Sequence, residues 1–139
     1  MKLSELFGAL EDSGDVLSYE LWLAEPDRDG TDVDLASVGR VEIAYEAHEA
    51  RLYPASTGTD VIEVEPEPYV GIVLSQLPQA AVGEGDLHLL VETPLIREDV
   101  ADGAVRFSEI LDVHIGTESR EVWLLLRERS QFAPEWLPD

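Results

Sequence analysis

The sequence predicts a mainly β, α+β fold: an antiparallel sheet closed as a sandwich or small barrel, with a short N-terminal helix and one further short helix. Three observations predict it. Short runs of alternating apolar residues recur along the chain, clusters of Gly, Asp, Ser and Thr separate them, and the regular strand–helix alternation of a parallel sheet is missing. The 139 residues suit one acidic globular domain over 1–139. A chain of that length buries roughly two-thirds of its unfolded surface, enough for an independent core. Residues 129–139 form an aromatic, proline-containing tail.

The elements follow in order. Leu3, Leu6, Phe7 and Leu10 stand at helical spacing, with Gly8 weakening the pattern and Asp12-Ser13-Gly14-Asp15 ending it. Val16 to Leu23 reads as a strand with Leu17, Tyr19, Leu21 and Leu23 on one face. The polar stretch from Glu25 to Asp34 is a loop. Val41, Ile43 and Tyr45 alternate as a strand, while Val41, Ala44, Tyr45, His48 and Leu52 also fit a helix face; the β-branched start favours the strand. Thr57 to Asp60 is a turn, and Val61 to Glu65 alternates apolar and acidic residues as an edge strand or an extended connector, limited by Pro66 and Pro68.

Val70 to Leu77 is apolar almost throughout and reads as a central strand. Gly83 to Asp86 turns the chain into a strand at Leu87 to Val91. The second helix is expected from Thr93, its N-cap, through Pro94 at the first helical position to Gly103. Val105 to Ile115 is the longest strand expected, with Val105, Phe107, Leu111, Val113 and Ile115 in phase and Glu109 the exception. A turn at Gly116 to Ser119 pairs it with Glu121 to Arg127 as a hairpin. Phe132, Trp136 and Leu137 are expected to strap back over the domain; an exposed peptide offered to a partner is the rival reading.

The charge is the unusual quantity. Thirty acids against nine bases leave −21, spread through both halves of the chain. Such a field repels DNA, RNA and anionic membranes and attracts basic proteins and cations. No apolar run approaches the ~20 residues of a membrane span, no secretory leader is evident, and the cytoplasm is the default compartment. Without cysteine there is no disulfide, thiolate metal site or cysteine nucleophile. Phosphate-loop, dinucleotide, nucleophile-elbow and zinc-protease signatures are missing, and Lys2 is the only lysine, so the reading leans away from an enzyme and implies no cofactor.

Three groups of residues are candidates for function. Glu63, Glu65 and Glu67 share one side of an extended segment, about 6.7 Å apart, roughly twice the axial phosphate repeat of a DNA strand. Asp27, Asp29, Asp32 and Asp34 crowd the first long loop. These two groups are the expected surface for a basic partner; the alternative for the glutamates is the solvent face of a half-buried edge strand, where charge discourages sheet-to-sheet aggregation. From Glu25 the loop also matches the early spacing of an EF-hand, but Ala36 stands where the bidentate glutamate belongs. His48, His88 and His114, each with acids nearby, would make a metal site only if their faces met.

The reading is an interaction or accessory domain for a basic partner, as an inhibitor, immunity-type protein or nucleic-acid mimic would be. The alternative is a ligand-binding or metal-dependent barrel whose acidity reflects salt adaptation only. An exposed edge strand would also allow a homo-oligomer.

Overall fold

A computed structural model describes residues 1–12, 14–27, 29–55, 69–77, 87–93, 95 and 106–139. The elements are α1 (Leu3–Glu11), β1 (Glu20–Pro26), β2 (Val33–Ala36), β3 (Val38–Ala44), β4 (Glu49–Pro54), α2 (Val70–Ser75), β5 (His88–Thr93), β6 (Arg106–Glu109), β7 (Asp112–Gly116) and β8 (Glu121–Leu125). Short 3-10 turns lie at Tyr45–Ala47, Arg129–Gln131 and Pro134–Trp136.

The strands form two four-stranded sheets, ordered β2-β1-β8-β7 and β3-β4-β5-β6. Each sheet is two antiparallel hairpins joined edge to edge through a parallel central pair, β1 with β8 and β4 with β5. The fold is therefore mainly β with short helices, and its sheets are mixed. The chain passes between sheets after single-residue or two-residue links, at Ser37 and at Ile110-Leu111. Leu21, Leu23, Val122 and Leu124 from one sheet meet Ala50, Leu52, Leu89 and Val91 from the other. Leu3, Leu6 and Leu10 of α1 and Val70 and Val73 of α2 complete that core.

α1 is placed as its spacing predicts, and its start is pinned to β5: the Leu3 amide donates to Leu87 O at 2.8 Å and the Leu89 amide to Met1 O at 2.9 Å. Strand β1 begins later than expected. Val16 to Tyr19 turns instead, with the Tyr19 amide on Val16 O, and Leu17 is 55% exposed where an inward face was expected. This turn explains a second correction. Val70 to Leu77 is no central strand; it begins as helix α2. Apolar runs of this length suit either a buried strand or a buried helix. The choice is made by the turn, whose Tyr19 and Leu17 carbonyls accept the first helical amides, Val70 N at 2.9 Å and Gly71 N at 3.0 Å.

Strand β2 replaces the end of the expected loop, pairing Val33–Ala36 against Leu23–Pro26. The strand reading around Val41 holds as far as Ala44 in β3, and the helix-face reading does not, since a three-residue 3-10 turn then leads to His48 at φ 55° and Leu52 lies in β4. The long strand expected over 105–115 divides at Ile110-Leu111, where the chain changes sheets and the phase inverts. Phe107 and Leu111, expected inside, are 39% and 50% exposed, while Val113 and Ile115 pack on the core. Glu109, the residue out of pattern, marks the break. Thr93 ends β5 with its hydroxyl buried against Arg106 O and Ser108 Oγ. It serves the sheet; the helix it was expected to cap lies outside the described residues, save Leu95. The turns at 57–60 and 83–86 and the edge strand at 61–65 also lie outside them.

The tail is a strap. Phe132 is buried with Ala24, Trp123 and Leu125 on the outer face of the β1–β8 pair, and Trp22, Trp136 and Leu137 pack around them. The Ser119 amide donates to Asp139 O at 2.8 Å, and His114 Nε2 donates to Pro138 O at 2.7 Å, holding the end down. Among the described residues no helix is long and apolar enough to cross a membrane.

Candidate functional site

The β1–β2 hairpin carries the aspartates of the first long loop. Its shape comes from Asp27. The Asp27 amide donates to Asp32 O at 2.9 Å, and the Gly30 amide to Asp27 O at 3.1 Å. Gly30 sits at φ 70°, a left-handed position that a side chain would strain. The Asp27 carboxylate accepts from the Thr31 amide at 3.0 Å and from Thr31 Oγ1 at 3.2 Å, an Asx-type closure. Asp32 Oδ1 accepts from the Val33 amide at 2.8 Å. Desolvation pushes the Asp27 carboxyl up, but the hydrogen bonds from Thr31 and from the Asp32 and Gly30 backbones hold it below the ordinary range.

Asp34 is in the opposite situation. It faces Glu25 across the β1–β2 register, and like charges placed so are destabilising. Burial first, then repulsion from Glu25, Asp27 and Asp32, raises its carboxyl above the ordinary range. Among the described residues no cation pairs with Asp27, Asp29, Asp32 or Asp34.

Among the described residues, five arginines are engaged elsewhere. Arg51 spans Glu42 at 3.2 Å and Glu49 at 3.0 Å, and its guanidinium lies over Phe107. Arg40 stacks on Tyr53 at 4.0 Å, Arg120 donates to Ser18 Oγ and lies over Tyr19, and Arg129 pairs with Asp112 at 2.8 Å. Arg127 stands 3.6 Å from Glu25, whose carboxylate is buried. Glu25 also accepts the Leu95 amide at 2.8 Å, so it ties the end of β1 to the chain beyond β5. The sequence treats Glu25 as one more loop acid. Only its phase with Leu21 and Leu23 hints that it turns inward.

The EF-hand spacing does not fold as one. The segment joins two strands, Asp27 is spent closing its own turn, and Ala36 is buried in β2. The histidines do not converge as a set. His48 and His88 are neighbours through the backbone, the His88 amide donating to His48 O at 2.8 Å, and His88 Nδ1 stands 3.6 Å from Glu109. His114 belongs to the other sheet, where Nδ1 accepts from Arg129 and Nε2 holds Pro138. Among the described residues no group of three or more His, Cys, Asp or Glu could hold a metal ion. Glu63, Glu65 and Glu67 lie outside the described residues.

A second feature is an open apolar groove of about 850 Å³ on the other end of β1. Its walls are α1, the turn at 14–17 and α2, and its lining includes Phe7, Gly8, Leu10, Leu17 and Leu74. The signal for it in the sequence is Gly8, a helix-weakening residue in the middle of an otherwise regular amphipathic pattern. The chain matches no protein-family model, no curated protein and no solved structure.

Proposed function

We propose that this protein is an interaction domain that docks a basic partner protein on the acidic β1–β2 hairpin. One observation carries the reading: Asp29, Asp32 and Asp34 stand on a hairpin closed by Asp27, while the described cations that make ion pairs serve acids elsewhere. A loop closed by its own hydrogen bonds and carrying repelling charges gains most from an incoming cation, because the cation removes repulsion. Arginine suits such a site better than lysine, since its planar fork can bridge two carboxylates. Glu63, Glu65 and Glu67 extend the proposed surface on the strength of the sequence alone. The net charge of −21 adds long-range steering of the same sign.

The test uses the immobilised protein to recover partners from extract of the cells that make it, followed by association kinetics on the purified partner. The association rate should fall with rising salt. Combined Asp29→Asn, Asp32→Asn and Asp34→Asn, which spare the turn-closing Asp27, should slow it by about tenfold at low salt. Equal rates for wild type and the triple variant would remove the hairpin from the interaction.

A further inference from the structure

The groove beside α1 has features that the hairpin does not explain. Ser4, Phe7, Gly8 and Glu11 line it at positions i, i+3, i+4 and i+7, one face of α1. Gly8 interrupts that face, and among the described residues no atom outside α1's own backbone lies within 4 Å of where its Cβ would stand. A mid-helix glycine costs about 1 kcal/mol relative to alanine. Here no neighbouring atom of the described fold needs the missing side chain, so the fold itself gains nothing from the glycine. What the glycine does provide is a flat wall against which another backbone can approach closely. Gly71, across the groove, has a different reason: its Cβ would stand 3.2 Å from Leu17 O.

The opposite wall presents apolar surface to solvent. Leu17 is 55% exposed and Leu74 on α2 is half-buried beside it, while Phe7 on α1 is half-buried across from them. The surroundings are acidic: Glu11 lines the groove, Asp12 ends α1, Asp15 sits in the turn, and Glu5 is exposed on α1. Apolar floor and acidic rim together set the chemistry of the occupant. An anionic amphiphile is repelled by the rim, and a second copy of this chain brings another −21. A helix with apolar anchors at i, i+3 or i+4 and i+7, flanked by Lys or Arg, meets both conditions.

We infer that this groove docks a basic amphipathic helix of a partner protein, with Gly8 as the point of close approach. The inference rests on the partner being basic, but it uses a surface at the end of β1 away from the hairpin. The probe is a fluorescein-labelled 15-residue peptide of leucine and lysine with leucines at helical spacing. Its control has the same composition with leucines dispersed around the helix. Anisotropy is read at 0.15 and 0.5 M sodium chloride.

The helical peptide should bind at least tenfold more tightly than the control, and the difference should persist at the higher salt. Gly8→Trp, which fills the groove, and Leu17→Gln, at an exposed site, should each weaken binding tenfold or more while melting within a few degrees of wild type. Equal binding of the two peptides, or unchanged affinity in both variants, overturns the inference. So does a wild-type dimer that Gly8→Trp dissociates, since the occupant would then be a second copy. The Asp29, Asp32 and Asp34 triple amide should bind the peptide within about twofold of wild type. If it loses the peptide and Gly8→Trp keeps it, the groove fails and the hairpin reading stands.

Discussion

Phe132→Ala tests whether the tail is part of the fold. The side chain is buried against Ala24, Trp123 and Leu125 on the outside of the β1–β8 pair. Phenylalanine-to-alanine changes in cores cost about 3–5 kcal/mol, including the cavity left behind. The strap covers one face and can settle after truncation, which places the expected loss near the lower bound, about 3 kcal/mol. With an unfolding entropy of about 2.1 cal/mol/K per residue, 139 residues give about 3.4 °C per kcal/mol. The midpoint should fall by about 10 °C in a calorimetric scan. A second signal accompanies it, because Trp22, Trp123 and Trp136, the three tryptophans of the chain, all belong to the covered cluster. Emission should shift to the red in Phe132→Ala below the melt, and further when residues 131–139 are deleted. A fall under about 2 °C with unchanged emission would refute the strap and return the tail to the role of an exposed peptide.

Glu25 should behave as a buried anchor. Glu25→Ala leaves the Leu95 amide without its acceptor and Arg127 without its carboxylate, costing about 2 kcal/mol in chemical denaturation; Glu25→Gln keeps an acceptor for the amide and should cost less. Asp112 should give stability that depends on pH. Desolvation pushes its carboxyl up, but the hydrogen bonds from Arg129 and the Val113 amide, with the charges of Arg129 and His114, hold it below the usual 3.8. Its folded form therefore favours the carboxylate, so the contribution is present above the unfolded value and is lost as pH falls through the lower folded one. The melting difference between wild type and Asp112→Asn should be present at pH 5 and shrink as pH falls below the unfolded value; a difference undiminished by acid would contradict it.

The sequence carried the elements whose cause is local. α1 follows from Leu3, Leu6 and Leu10 at helical spacing, and the β7–β8 hairpin follows from alternation on both sides of Gly116 to Ser119. Helix α2 has its cause far away along the chain. The amides of Val70 and Gly71 are capped by the Tyr19 and Leu17 carbonyls, a contact no window around residue 70 contains. The parallel pairs β1–β8 and β4–β5 likewise join strands that no short turn connects. The change of phase between Phe107 and Val113 was visible only as Glu109 out of step, because a run crossing from one sheet to another keeps its alternation while exchanging its inner and outer faces. For the candidate site, the acids of 27–34 were legible by composition. That no described cation pairs with them was not, since it depends on where Arg51, Arg127 and Arg129 reach. The groove was the least legible, being assembled from α1, a turn and α2, with Gly8 its single local sign.

Central to this account is that, among the described residues, no cation compensates the hairpin aspartates. Asp34 is raised above 3.8 by burial and by Glu25, Asp27 and Asp32, so its charged form is the disfavoured one in the folded state. At neutral pH that charge lowers stability, and the loss disappears as acid protonates it. Like-charge contacts of this kind cost about 0.2–1 kcal/mol each and are screened by salt. The most direct measurement is the melting midpoint of wild type and of the Asp29→Asn, Asp32→Asn, Asp34→Asn variant at pH 7, from 10 mM to 3 M potassium chloride. The account predicts a wild type folded at 10 mM, a variant melting about 3 °C higher there, and a gap closed by 1 M. A wild type that folds only in molar salt would assign the acidity to its solvent, and a variant that melts at or below wild type at 10 mM would show charges already satisfied within the fold.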